Sequence, residues 1–385
     1  MGRDFLHQAI LIRHDFDGGA ITGYHYLLAP TDPSQIPGRR LQLWFRWSAR
    51  VLASALVALA LTGAIYQMIG EHRDARRFPQ RGRSVQTGGI KLNIDCTGQG
   101  SPTVVLDSGM GVPAMGWMKV QPEVAKFTRV CSYDRAGYGW SDPGPEPRTS
   151  LQIVKDLKAL LDAAGERPPY ILVGHSFGGY NVRVFASQYR DLVAGVVLVD
   201  ASHEDEEDRI NAVLPVAVRQ EEKENDEWEA TLERILGPIF IHLGIQRFSV
   251  AMGWADLPKS LSKIQLAELM YLQEQGKFRD AVMAEDKASA VSIAQVKTAG
   301  KMGDVPLIVL TAGKPYEPDP LLTPMDLEKQ RNIWVNELQV ELTHLSTRGK
   351  QIVVADSSHM IPFERPDAVV AAIREIWGGR TPTAP

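Results

Sequence analysis

Cysteine is nearly absent from this chain: two residues, Cys96 and Cys131, among 385 positions. Two thiols exclude a scaffold built on disulfides, and their spacing provides no paired C-x-x-C arrangement for a metal ion. Nor does one sign of charge dominate. The chain carries 42 basic against 46 acidic residues, a formal net charge of −4. It therefore lacks the basic excess that polyanion binding requires, and nucleic acid is not an expected partner. Internal repeats and low-complexity tracts are also missing, which argues against solenoids and arrays. What is present, 44% hydrophobic and 23% charged residues, is the composition of an ordinary globular protein. The length fits one catalytic core with an insertion and an N-terminal extension.

One stretch lacks charge altogether. From Val51 to Gly70 the chain carries no charged side chain. At about 1.5 Å rise per residue, such a helix crosses a hydrocarbon core of roughly 30 Å. Trp44, Phe45 and Trp47 before it and Tyr66 near its far end suit the membrane interface, while Arg39, Arg40, Arg46 and Arg50 suit the headgroups. The run is longer than a signal-peptide core, begins late, and is followed by no small-residue cleavage site, so an uncleaved anchor is expected. Arginines flank both ends at similar density (Arg73, Arg76, Arg77, Arg81 and Arg83 follow), so charge does not set the orientation; an extracytoplasmic domain is the working expectation. The organisation expected is a tail of unassigned role over 1–50, a membrane helix over 51–70, a linker over 71–84, and a core over 85–201 and 302–380. An insertion over 202–301 interrupts that core.

The core regions alternate strand and helix patterns. Ile90 to Cys96 alternates apolar and polar side chains, Thr103 to Leu106 and Arg129 to Tyr133 are short β-branched runs, and Leu151 to Ala164 has helical spacing. A strand at Tyr170 to Val173, a helix from Gly178 to Tyr189 and a strand at Val193 to Val199 follow, and Val305 to Leu310 and Gln351 to Val354 resume the pattern after the insertion. Strands alternating with helices predict an α/β fold with a doubly wound, mostly parallel sheet. The insertion reads as purely helical, a lid. Its Ile239, Phe240, Phe248, Met252 and Trp254 are candidates to roof a pocket or to form the lid's own core. The acidic run Glu204 to Asp208 suits the N-terminus of the first lid helix.

Gly174-His175-Ser176-Phe177-Gly178-Gly179 contains G-x-S-x-G between an apolar strand and a helix, the context in which that pentapeptide forms a nucleophile elbow. A serine hydroxyl needs a base to accept its proton. Of nine histidines, His359, in Asp356-Ser357-Ser358-His359-Met360, lies just beyond the last apolar strand, where a loop can return to Ser176.

With these motifs and the loop Tyr133-Asp134-Arg135-Ala136-Gly137-Tyr138-Gly139-Trp140-Ser141-Asp142, the stretch from about Val85 to Gly378 resembles the α/β-hydrolase superfamily. The likeness is to its lidded esterase and haloalkane-dehalogenase-like branch, here with a serine nucleophile. The resemblance implies a serine, acid, histidine order along the chain. It places the acid after the strand following the elbow helix, at Asp200, or after the next one, at Glu317 or Asp319; Asp205 is a further alternative. Asp200 is preferred, because the Thr311 to Pro320 loop is held by three prolines and its acids stand well past the strand end. The resemblance also implies an oxyanion hole from a loop that commonly reads His-Gly. Here Ser108-Gly109 takes its place, with the backbone amides of Met110 and Phe177 as donors. Asp134 and Arg135 are expected to organise turns through bonds to backbone. In this fold the strands of Cys96 and Cys131 would be neighbours; two buried free thiols are the preferred expectation over a bond.

The chemistry implied is hydrolysis of an ester or related acyl bond of a small, apolar substrate, with neither metal nor organic cofactor required. Acyl transfer or C–C hydrolysis by the same residues, and a membrane-anchored non-catalytic binding protein, are the alternatives. Substrate identity and oligomeric state are not legible.

Overall fold

The computed structural model describes residues 37–254 and 261–379. The tail expected over residues 1–50 lies outside the described residues as far as residue 36. The chain divides into two units, the first ending at Thr62 and the second beginning at Gly63.

Within the first unit the described chain is the beginning of helix α1 (Pro37–Arg77). Pro37 starts it, a position where the missing N–H costs nothing. Leu43, Trp44, Leu52, Leu56 and Leu59 are all exposed, and the helix has no polar face along its apolar run. It is one helix, long and apolar enough to span a membrane, with the apolar window lying within Gln42–Arg77. The helix outlasts the charge-free run at both ends because no glycine pair or internal proline interrupts it.

The second unit is built on an eight-stranded sheet of order β1-β2-β4-β3-β5-β6-β7-β8. Its strands are β1 (Arg83–Thr87), β2 (Ile90–Thr97), β3 (Thr103–Asp107), β4 (Val130–Tyr133), β5 (Tyr170–His175), β6 (Val193–Val199), β7 (Leu307–Ala312) and β8 (Gly349–Val354). The β1–β2 and β2–β4 pairs are antiparallel, and every other pair is parallel. β3 and β5 are buried along their whole length, as expected of strands covered on both faces. β1 was not anticipated: its sequence is polar, and only Val85 and Thr87 turn inward.

Alternation distributes the core between two faces. Val105, Leu172 and Leu198 point to one side, where helices α3 (Ser150–Ala164) and α4 (Gly178–Gln188) contribute Leu157, Leu161 and Phe185. Leu106, Val173 and Val197 point to the other side. They meet Val124 from the helical turn α2 (Gln121–Val124), together with Trp117 and Ile373. α3 carries its own boundary signals: the Thr149 side chain accepts from Gln152 N at its start, and Gly165 closes it in a left-handed conformation.

Between β6 and β7 the chain forms α5 (Glu206–Val213), α6 (Val216–His242), α7 (Ile245–Ala251), α8 (Lys263–Gln273), α9 (Gly276–Lys287) and α10 (Ser289–Ala299). After β7 come α11 (Pro324–Asn332), a π-helical turn at Ile333–Leu338 and α12 (Gln339–Thr343), none of which the hydrophobic pattern revealed. The helical turn α13 (Ile361–Glu364) and α14 (Pro366–Gly378) complete the fold, with Ile373 of α14 in the second core face.

Two expectations are corrected here. Cys96 and Cys131 are not free thiols but a disulfide, because they are direct cross-strand partners in the antiparallel β2–β4 pair. The five lid residues expected to roof a pocket or pack a lid core are all exposed, and none belongs to a buried core cluster among the described residues.

Candidate active site

Parallel strands bring their carboxyl ends to one edge of the sheet, where loops collect functional side chains. The register places His175 beside Val199 and Val199 beside Leu310, and Asp107 of β3 lies beside Gly174. Ser176, Asp200 and the loop after Asp107 therefore leave the sheet side by side.

Ser176 sits at a turn that only small neighbours permit. A Cβ on Gly174 would lie 2.5 Å from the Gly178 carbonyl oxygen, and one on Gly178 would lie 2.5 Å from the Asp107 carbonyl oxygen. The serine adopts φ +52°, and Asp200, with φ +41°, is the only other described non-glycine residue in that region. Such backbone costs about 1–3 kcal/mol and persists where the surroundings enforce it. They do so here: Ser176 N–H donates to Val199 O (3.2 Å), Ser202 N–H to Ser176 O (3.1 Å) and Asp200 N–H to Leu310 O (2.7 Å). The two strained turns thus hold each other. Ser176 is partly accessible while its neighbours in β5 and α4 are buried.

The structure brings Asp200 and His359 together. Asp200 Oδ2 lies 2.7 Å from His359 Nδ1. The carboxylate is 2% exposed, and its other oxygen accepts from Ala312 N (2.8 Å) and Trp334 Nε1 (2.9 Å). Those two neutral donors fix its orientation. Burial opposes charge on the His359 ring, but the hydrogen bond and negative charge of Asp200 outweigh it, and the pKa is raised above the ordinary value. Nδ1 is occupied by the carboxylate, so Nε2 is the nitrogen left for proton exchange.

His175, read from sequence only as a filler of the elbow motif, supports this loop. Its Nε2 lies 2.9 Å from the His359 carbonyl oxygen, and the two ring centroids lie 4.8 Å apart with the planes tilted by 36°. Burial, followed by the charge on His359, lowers the His175 pKa to about 4, so the ring is neutral and donates its Nε2–H to that carbonyl. Trp334 was missed because it lies far along the chain in the π-helical turn. No local motif announces it.

The other acids considered lie elsewhere. Glu317 is exposed and pairs with Lys314, Asp319 accepts from Leu321 N, and Asp205 pairs with Lys297. Glu206, read from sequence only as part of the acidic start of the first lid helix, faces the pair from α5. Burial raises its pKa, while the charge on His359 opposes the rise.

The loop after β3 is governed by Arg135, which does more than organise a turn. Its guanidinium, 2% exposed, bonds Asp107 Oδ1 (2.9 Å), the carbonyls of Ser108 (2.6 Å) and Gly109 (2.9 Å), and both oxygens of Glu285 from α9. Tyr138 adds a bond to Glu285 and accepts from Gly111 N. Burial pushes Asp107 up to about 6, against the charge of Arg135. Asp134 does organise backbone as expected, accepting from the amides of Ala114 and Trp140 and from Asn93. In a trans peptide the C=O and the next N–H point in opposite directions. With the Gly109 carbonyl turned to Arg135, the Met110 N–H points away from it. A Cβ on Gly109 would lie 3.1 Å from Ser176 Cβ, so this loop passes directly against the nucleophile elbow. Among the described residues, neither the Met110 nor the Phe177 N–H donates to another protein group.

A model of the alpha/beta hydrolase family matches residues 104–372. Among proteins similar in sequence, YbdG of Bacillus subtilis (strain 168), itself uncharacterized, is 27% identical over 151 residues, 39% of this chain and 46% of YbdG. The 2-hydroxy-6-oxo-2,4-heptadienoate hydrolase of Pseudomonas putida is 36% identical over 123 residues, 31% of this chain and 44% of that protein. The chain thus spans less than half the length of both relatives. The solved structure of epoxide hydrolase CorEH superimposes with a TM-score of 0.54 at 18% identity, covering 77% of this chain and 98% of that one, a likeness of fold. The matched stretch takes in the elbow, the Asp200 turn and the His359 loop together, and the chain belongs to the alpha/beta hydrolase family.

Proposed function

We propose that the chain is a membrane-anchored serine hydrolase acting on an ester or related acyl bond of a small apolar substrate. The observation that carries this reading is the 2.7 Å Asp200–His359 contact beside a strained Ser176 elbow. In this mechanism Ser176 Oγ attacks the substrate carbonyl and His359 Nε2 takes the hydroxyl proton. Asp200 holds the imidazolium by its Nδ1–H. The oxyanion lies against the unpaired amides of Met110 and Phe177, each donor being worth about 3 kcal/mol in the transition state. His359 then protonates the departing alcohol, and water activated by the same histidine releases the acyl group from Ser176.

A serine at the elbow speaks against the aspartate-nucleophile chemistry of epoxide hydrolases despite the likeness of fold. The name of the Pseudomonas putida relative favours a second reading, C–C bond hydrolysis by the same residues. The Cys96–Cys131 bond supports a catalytic domain on the extracytoplasmic side, since disulfides persist in oxidising compartments.

The test is fluorophosphonate labelling of the full chain in detergent, with Ser176→Ala and His359→Ala beside it. Turnover is followed on p-nitrophenyl esters of increasing acyl length and on 2-hydroxy-6-oxo-2,4-heptadienoate. Labelling and ester turnover lost in both variants are expected. Turnover of the dienoate alone would transfer the assignment to C–C hydrolysis, and a folded wild type that takes no label would refute the serine mechanism.

A further inference from the structure

From Ile235 to Trp254 the lid carries one side chain with a formal charge, Arg247. That charge is turned inward: the guanidinium bonds Asp74, Gln67 (3.0 Å) and Glu274 (2.7 Å). Alongside the exposed His242 and Gln246, the segment turns outward a set of large apolar side chains. Ile239, Phe240, Ile245, Phe248, Met252 and Trp254 are 42–69% exposed, and none belongs to a core cluster. Ile245, Phe248 and Met252 recur at i, i+3 and i+7 along α7 and its cap, so they share one face, and Phe248 meets Trp254 edge-on at 5.7 Å. A contiguous apolar patch of this kind on a charged protein marks a surface meant to be covered.

The same segment is clamped to the end of α1. A Cβ on Gly63 would lie 2.5 Å from the Leu243 carbonyl oxygen, one on Gly244 would lie 3.0 Å from the Tyr66 ring, and one on Gly70 would lie 2.6 Å from Arg247. Close packing at these glycines, closed by the Arg247–Asp74 ion pair, leaves the α6–α7 corner little freedom to move from Gly63–Asp74. That stretch contains the last turns of the charge-free run, which ends at Gly70. A corner fastened where the apolar helix gives way to charged sequence lies where a bilayer's interfacial zone would be, and apolar faces carrying Trp and Phe suit that zone.

We infer that the apolar face of the α6–α7 corner docks on the lipid bilayer crossed by α1, so that the lid is seated on the membrane surface. The inference rests on the reading of α1 as a membrane span and not on the hydrolase chemistry. It commits to lipid as the occupant.

The full chain, reconstituted in phosphatidylcholine vesicles, supplies the test. Both native cysteines are bonded, so one introduced cysteine takes an environment-sensitive fluorophore without competition. Phe248→Cys and Ile245→Cys probe the corner, Val57→Cys the span, and Lys155→Cys, on the exposed face of α3, the solvent. Lipids bearing a nitroxide on the acyl chain are the quencher. Quenching at 248 and 245 severalfold greater than at 155, with blue-shifted emission, is expected. Quenching at 57 with 248 and 245 behaving as 155 does would overturn the docking and leave the anchor standing. Protection of the corner that depends on protein-to-lipid ratio, without nitroxide quenching, would overturn it in favour of a second copy of the chain. Absence of quenching at 57 would remove the anchor and the docking together.

Discussion

Asp200→Asn is the substitution that most directly examines the site. The asparagine is isosteric, and its oxygen can still accept from Ala312 N–H and Trp334 Nε1–H, which bond Asp200 Oδ1 at 2.8 and 2.9 Å. Its NH2 then faces His359 Nδ1 at the present 2.7 Å contact. A ring nitrogen opposite an N–H donor must be an acceptor, so the hydrogen moves to Nε2, the wrong tautomer for taking a proton from Ser176. Losing a charge-assisted hydrogen bond to the imidazolium costs about 1.5–3 kcal/mol. At about 1.36 kcal/mol per decade, that is a loss of one to two decades. The tautomer switch brings the total to the order of 10⁴ in kcat. The pH profile moves as well. Burial lowers the His359 pKa, and Asp200 is the larger of the groups raising it. With the carboxylate gone the burial effect prevails, and the acid limb of the residual activity shifts to lower pH as its plateau falls. The assay is kcat and kcat/KM against pH on a p-nitrophenyl ester, with urea unfolding alongside to establish that the variant is folded. A folded variant losing less than about tenfold, or a loss of the order of 10⁴ from Glu317→Gln or Asp319→Asn instead, would refute the assignment of the acid.

In the wild type, His359 must be neutral to act as a base and its pKa is raised, so kcat/KM should rise with pH through a midpoint above 6.5; a pH–rate profile with its acid midpoint below that value contradicts the Asp200 contact. Gly178→Ala sets a methyl 2.5 Å from the Asp107 carbonyl oxygen, a backbone atom that has no room to retreat. It should destabilise by about 1–3 kcal/mol in urea unfolding and lower fluorophosphonate labelling, and unchanged values would contradict the elbow geometry. Arg135→Met removes the cation paired with the buried carboxylates of Asp107 and Glu285, leaving them the Tyr133 and Tyr138 hydroxyls, which should cost about 3–5 kcal/mol of stability in urea unfolding. Glu285→Gln retains most hydrogen bonds to Arg135 and Tyr138; a fall in kcat with little change in KM is expected, since the carbonyls held by Arg135 aim the Met110 amide and do not touch substrate.

How far the sequence reaches depends on whether a signal is local. The sheet strands were legible because runs such as Val193–Val199 are buried on both faces and carry an unbroken apolar pattern. Ser176 was legible because its turn demands glycines within two residues on either side, and His359 because it follows the last apolar strand. Asp200 was one of several acids in sequence; only the register of β6 against β7 sets it within reach of Ala312 and Trp334. Trp334, Glu285 and His175 were illegible as supporting residues, since each acts through a partner distant in sequence and leaves no local pattern. β1 was hidden by polar edge residues, and the disulfide by a register that no spacing encodes.

The lid divides into two halves with different tasks, and the division follows from what each half touches. α8, α9 and α10 are fastened to the core by polar contacts. Glu268 holds Arg81, Gln273 donates to the Gly111 carbonyl, Lys277 to that of Ser141, and Ser292 and Gln295 receive the amides of Ser150 and Leu151. This half also supplies Glu285, and with it one of the two carboxylates that fix Arg135 and, through Arg135, the Ser108–Met110 loop. The α6–α7 half has an exposed apolar face instead and is held by Arg247, whose partners come from α1 on one side and from Glu274, just past α8, on the other. Arg247 therefore joins the end of the apolar helix to the half of the lid that braces the loop beside Ser176. Removing Glu274 as a partner (Glu274→Gln) weakens that joint without touching the Asp200–His359 pair or the elbow. If the joint matters to the site, kcat falls in vesicles while the pH midpoint set by His359 stays where it was; a shifted midpoint would show instead that the substitution reached the Asp200–His359 pair.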